Sequence, residues 1–259
     1  MDDRSPNQAG TEATTRAASL LLLFLSGESA WGVSGIAREM GLAKSVVHRM
    51  LQSFVAHGFL VRSPETRKYS LGPAVAALGA AALRSSDLRL AARPGLARLR
   101  AATGETVTLC ALIDTQRVFI DQLETTHEMK ITVALGRQYP LTAGATGRVL
   151  LAYLPESKRE RILATEPTKL TDQTIPTAEA LRDDCERIRE LGYAISQGER
   201  QSGAASVAAP VFDLDGEVVG AITVCGPTSR LSRERLDDLS APLTTVTREV
   251  SARLGHRTA

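Results

Sequence analysis

The densest chemistry in this sequence lies between positions 44 and 68. Lys44, Ser45, Val46, His48, Arg49 and Gln52 share one side of a stretch whose other side carries Val47, Met50, Leu51, Phe54 and Val55 at i, i+3, i+4, i+7 spacing. Ammonium and guanidinium groups neutralise phosphates, while hydroxyl, imidazole and amide groups hydrogen-bond base edges. Arg62, Arg67 and Lys68 add a second basic stretch. Between positions 36 and 72, Arg38, Lys44, Arg49, Arg62, Arg67 and Lys68 outnumber Glu39 and Glu65 by four charges, in a chain whose net charge is only +2. Positive charge concentrated in one small segment is the footprint expected of a phosphate-binding surface. A solvated helix face is also polar and basic, so the surrounding elements must decide.

Those elements are consistent with one another. Thr14 or Thr15 is placed to cap a helix with Ala18, Leu21, Leu22 and Leu25 on its apolar face, and Gly27 ends it. Ser34 is placed to cap a short helix that turns Ile36, Ala37 and Met40 inward. Gly41 supplies a tight turn, and Leu42 pins that turn to the core. The next helix runs from Lys44 to about His57 and stops at Gly58. Extended runs at 59–62 and 68–71 then flank a turn-rich tip at 63–67. Three helices followed by a basic hairpin describe a winged helix-turn-helix over residues 14–72, with double-stranded DNA as its partner. Residues 1–13 read as a disordered tail. The alternative is a winged module that docks on a protein and has no DNA target.

The string Ile36-Ala37-Arg38-Glu39-Met40-Gly41-Leu42-Ala43-Lys44-Ser45-Val46-Val47-His48-Arg49-Met50-Leu51 resembles the helix-turn-helix of IclR-type bacterial transcription regulators. Tyr69-Ser70-Leu71-Gly72 resembles the end of their wing. Val46 stands where that family usually has Thr, which removes a hydroxyl available to DNA. The resemblance implies a repressor or activator controlled by a small molecule.

Residues 73–87 read as a linker helix and residues 88–259 as an effector-binding and oligomerisation domain. Ser86 and Asp87 offer a helix start, and an arginine-rich helix with Leu88, Leu90, Leu96 and Leu99 on its apolar side runs to Gly104. Strands are expected at 106–113, 117–122, 129–133, 193–197, 206–212 and 218–224, and helices at 146–153, 157–164, 177–191 and 232–254. A mostly antiparallel sheet with separate helices is an α+β domain. The C-terminal pattern resembles the GAF/profilin-like effector domain of the same family. That resemblance implies pairing with a second copy of the chain, as a homodimer or a dimer of dimers. It also places ligand contacts on Ala145, Thr146, Ser196, Ala204, Ser206, Thr223 and Cys225. Three features depart from the family: neutral side chains at Ser196 and Gln197, near which an acid is common, Thr142 where His is common, and Arg148 where Lys is common. A small organic acid held by loop amides, or an aromatic metabolite, suits these positions.

Other functions find little support. His48, His57, His127 and His256 form no metal-ligand spacing, and no Gly-x-Ser-x-Gly elbow or phosphate-binding loop occurs. No enzyme activity, cofactor or metal is therefore expected. Cys110, Cys185 and Cys225 are odd in number and widely spaced, which disfavours a disulfide framework. Cys225 as a redox sensor is a minor alternative to a buried structural thiol. The apolar run 20–25 is too short to span a bilayer, so a cytoplasmic protein is expected.

Overall fold

The computed structural model describes residues 6–84 and 86–257. The chain divides into two units, Met1–Ser85 and Ser86–Ala259. In the first, α1 (Pro6–Leu22) and a 3-10 turn (Leu23–Leu25) precede α2 (Val33–Met40) and α3 (Lys44–Ala56). β1 (Leu60–Arg62) then pairs antiparallel with β2 (Tyr69–Leu71), and α4 (Pro73–Arg84) follows. Leu20, Phe24, Ile36, Val47, Leu51, Leu60 and Tyr69 meet in one core, so the helical stripe and the hairpin bury the same surface. Gly41 ends α2 with φ at 64°, and its amide reaches the carbonyl oxygens of Ala37 and Arg38. Glycine takes this left-handed stop without steric penalty.

Two helix starts differ from expectation. α1 begins at Pro6, so residues 6–13 are helical where a tail was expected, and Thr14 and Thr15 lie inside the helix. Proline suits a first helical position because its φ is preset and its missing N–H has no intrahelical role there. Residues 1–5 of the expected tail lie outside the described residues. α2 is entered from Gly32 in extended backbone, with φ −91° and ψ 154°, and Ser34 falls within its first turn.

The second unit opens with α5 (Asp87–Thr103), whose N-cap Ser86 accepts a hydrogen bond from the Arg89 amide. The chain continues through β3 (Thr106–Ile113), β4 (Gln116–Leu123), β5 (Gln138–Pro140), α6 (Ala145–Tyr153), α7 (Glu156–Leu163) and α8 (Ala178–Leu191). It ends with β6 (Ala194–Gln197), β7 (Ala204–Phe212), β8 (Val218–Pro227) and α9 (Arg233–Arg253). The six strands form one antiparallel sheet in the order β5-β4-β3-β8-β7-β6. α5 and α9 cover one face, where Leu96, Leu99, Leu243 and Val246 meet Val107, Leu109, Val207 and Val224. α6 and α8 cover the other, where Val149, Leu150, Leu181 and Ile188 meet Cys110, Ala208 and Ala221. This is an α+β domain.

Residues 129–133 are not a strand. The Val133 amide donates to the Gln122 side chain at 2.8 Å, and the place beside β4 is taken by β5. Leu90 is 56% exposed, because the buried face of α5 runs through Ala92, Gly95, Leu96 and Leu99 instead. Among the described residues, no helix is long and apolar enough to cross a membrane.

Candidate DNA-contacting surface and ligand cavity

Burial of Val47 and Leu51 fixes the rotation of α3 about its axis. Lys44, Ser45, His48, Arg49 and Gln52 are consequently exposed, with Val46 half-buried. The N-cap Ala43 supplies no side-chain acceptor, so the first amides of α3 stay open to an anion. Arg62, Arg67 and Lys68 are exposed on the hairpin. Its tip is set by the Thr66 amide donating to Ser63 Oγ at 3.1 Å and by Arg67 at φ 56°. Trp31 extends the hairpin as a third strand would, exchanging backbone bonds of 2.9 and 2.8 Å with Tyr69. Among the described residues, Lys44, Arg49, Arg62, Arg67 and Lys68 enter no ion pair. Their charge is free for phosphates.

In the second unit, Ala145, Thr146, Ser196, Ala204, Ser206, Thr223 and Cys225 line a single cavity of about 40 Å3. Strand alternation puts Thr223 and Cys225 on the face of β8 opposite Ile222 and Val224. Thr146 and Thr223 share a hydrogen bond of 2.9 Å between their hydroxyls. The start of α6 is aimed by Gly144, whose φ of 74° and ψ of 154° only glycine adopts readily. The Gly147 and Arg148 amides both donate to the Gly144 carbonyl. The amides of Ala145 and Thr146 precede that first turn and have no intrahelical acceptor.

Arg148 does not serve the cavity. Its Nε and Nη2 grip Glu199 at 2.9 and 2.7 Å, Nη1 meets Asp184, and Nη2 also reaches the Ile195 carbonyl. Burial pushes its pKa down, but Glu199 and Asp184 outweigh that and raise it. Glu199 in turn accepts from the Gly144 amide at 3.1 Å. The buried cluster thereby holds the α6 entrance against the turn after β6.

The cavity also contains residues that sequence reasoning passed over, chiefly Arg117, Phe119, Arg200 and Gln201, with Ile131 and Val133 from the irregular segment. Arg117 is 2% exposed. Its Nη2 donates to the Ala143 carbonyl at 3.0 Å, while Nε and Nη1 have no partner. Burial, with repulsion from Arg200, lowers its pKa to about 10 against the attraction of Cys110, so it stays cationic at neutral pH. Its guanidinium lies 5.9 Å from the ring centres of Phe119 and Tyr139. Arg117 and Phe119 sit two apart on β4 and point the same way, but Val118 between them is buried as well, so alternation does not single Arg117 out. Burial raises the thiol of Cys225 to about 12 and that of Cys110 to about 11. Such thiols are protonated and unreactive, which argues against a redox role. Among the described residues, no three His, Cys, Asp or Glu side chains gather as a metal site would require.

The sequence matches the family described as "Bacterial transcriptional regulator IclR C-terminal" over residues 80–252 and the "IclR helix-turn-helix domain" over residues 13–64. It is 33% identical to the HTH-type transcriptional regulator KdgR of Escherichia coli K12, across 91% of this chain and 90% of that one. It is 35% identical to the HTH-type transcriptional regulator BhcR of Paracoccus denitrificans, across 95% of this chain and 88% of the relative. Among solved structures, an IclR transcriptional regulator from Silicibacter sp. TM1040 superimposes with a TM-score of 0.86 at 29% identity, covering 95% of this chain and 98% of that one. The winged helix-turn-helix, the antiparallel effector-type domain and these matches agree: the chain belongs to the IclR family of DNA-binding, ligand-responsive bacterial transcription regulators, and is not an enzyme.

Proposed function

We propose that two copies of this chain pair and lay their α3 helices into successive major grooves of an operator. Base contacts fall to Ser45, His48, Arg49 and Gln52, with the methyls of Val46 packing on the groove. Phosphate contacts fall to Lys44 and to Arg62, Arg67 and Lys68 of the hairpin. Pairing is favoured by α4, an alanine-rich helix on which Leu78 is 57% exposed; apolar surface of this kind is better covered than wet. A small molecule in the cavity, touching Ala145, Thr146, Ser196, Ala204, Ser206, Thr223 and Cys225, then biases DNA affinity through its preference for one conformation. A protein reading chromosomal DNA works in the cytoplasm.

The observation that carries this reading is the exposed row of polar and basic groups on α3 above a buried apolar stripe. DNA fragments selected from genomic digests by the full-length protein test it in fluorescence anisotropy. Arg49→Ala weakens binding to the selected fragment and leaves ligand affinity unchanged. Equal operator affinity for Arg49→Ala and the parent contradicts the assignment.

A further inference from the structure

We infer that the second unit carries a further pocket, separate from the cavity at the start of α6, that binds a single-ring aromatic carboxylate with its ring inside and its carboxylate at Arg248. This pocket, of about 190 Å3, lies among the ends of α6 and α8, the last residues of β7 and the C-terminal half of α9. It shares no lining residue with the cavity. Its size admits a ring. An apolar space of about 150 Å3 accepts benzene, so the pocket has room for a substituted ring and the cavity, at about 40 Å3, has none. The wall chemistry agrees. Tyr153 meets Phe212 edge-on at 5.1 Å between ring centres, and Phe212 meets His256 at 5.2 Å. His256 is turned back beside the end of α9 by its amide, which donates to the Ser251 carbonyl at 2.9 Å. A wall of three rings favours a further ring packed edge-to-face or offset.

Charge decides what the ring carries. Three aromatic rings can also hold an organic cation, but here the protein supplies the cations. Arg248 lines the pocket, is exposed and enters no ion pair among the described residues. Arg189 lies close enough to Tyr153 to pull its phenol pKa down against the upward push of burial. None of the lining residues is acidic, and Glu249, next to Arg248 in sequence, is engaged by Arg98. The hydroxyls of Thr244, Thr247 and Ser251 donate to the carbonyls of Ala241, Thr244 and Thr247. They have no proton left to offer an anion. The carboxylate therefore falls to the exposed Arg248 guanidinium, where water completes its hydrogen bonding.

Thermal-shift and calorimetric titrations of the full-length protein test the inference. The probes are benzoate and phenylacetate, with benzamide as the neutral twin and benzylamine as the cationic one. At least one of the two acids raises the melting temperature, and benzamide and benzylamine bind more weakly than that acid. Arg248→Met removes an exposed side chain, keeps the ligand-free melting temperature and weakens acid binding by roughly 5-fold. Ala252→Trp, also at an exposed lining position, fills the pocket and abolishes binding. Benzamide or benzylamine binding as tightly as the acids, undiminished acid binding in either variant, or no binding of either acid overturns the inference. With neither acid bound, a loss of self-association in Ala252→Trp would identify a side chain of a second copy as the occupant instead.

Discussion

The face of α3 and the cavity of the second unit both present polar groups to a partner, and they are built on opposite terms. On α3 the groups are exposed, with His48 and Gln52 alone meeting at 3.5 Å, and the buried Val47 and Leu51 dictate where they point. In the cavity the groups are short and held from several elements at once, with α6 tied through Gly144 to Glu199 and through Arg148 to α8. The first arrangement binds a large anionic surface through many weak, salt-screened contacts and tolerates single losses of stability. The second depends on fixed geometry, so substitutions beneath it act on folding before they act on binding. Exposure therefore predicts which variants lose stability and which lose affinity.

The largest expected effect lies beneath the cavity. Arg148→Met leaves buried Glu199 without its cation and Asp184 with only the exposed Arg187, a change that costs about 3–5 kcal/mol. Chemical denaturation should show it as a lowered midpoint for the second unit, and an unaltered midpoint would break the contrast. Gly147→Ala comes next. A Cβ there runs into Arg117 Nη1 and lies 2.7 Å from the Leu141 carbonyl oxygen, so overpacking of roughly 1–3 kcal/mol is expected. Operator binding at temperatures where the variant is folded should change little.

On α3 the sign reverses. Arg49→Ala should lose about 1–3 kcal/mol of specific DNA affinity with no measurable change in melting temperature; destabilisation without loss of affinity would show that the side chain is structural. The smallest effect concerns the thiols. Because burial holds Cys225 near 12 and Cys110 near 11 in the folded protein, the protonated thiol is the stable native form. The folded state is favoured below the unfolded thiol pKa, and that advantage fades as pH rises toward the folded value. Ellman's reagent at mildly alkaline pH should label these cysteines only as fast as the protein unfolds; prompt labelling of Cys225 would reopen a redox role.

Much of the fold is readable from pattern. The bounds of β3 coincide with the expected 106–113, and Ser86, Ser232 and Gly104 mark helix ends as their residue types suggest. The reading fails where local pattern and tertiary role part company. Met129, Ile131 and Val133 alternate as a strand does, yet Ile131 and Val133 wall the cavity and the Val133 amide is satisfied by a side chain. Arg117 escaped notice for a related reason. Helices cover both faces of the sheet, so β4 buries Val118 and Phe119 alike and the alternation that would reveal an inward arginine is erased. The seven cavity residues were reached by family likeness, and all seven line one space; the two cations that give that space its charge were not.

Joining the two regions is the central claim, and anisotropy of a selected operator fragment with the full-length protein addresses it directly. Titrated with a small molecule that binds the cavity, the parent should change its DNA affinity by about 5–150-fold. A cavity ligand that saturates the parent without moving its DNA affinity would contradict the account.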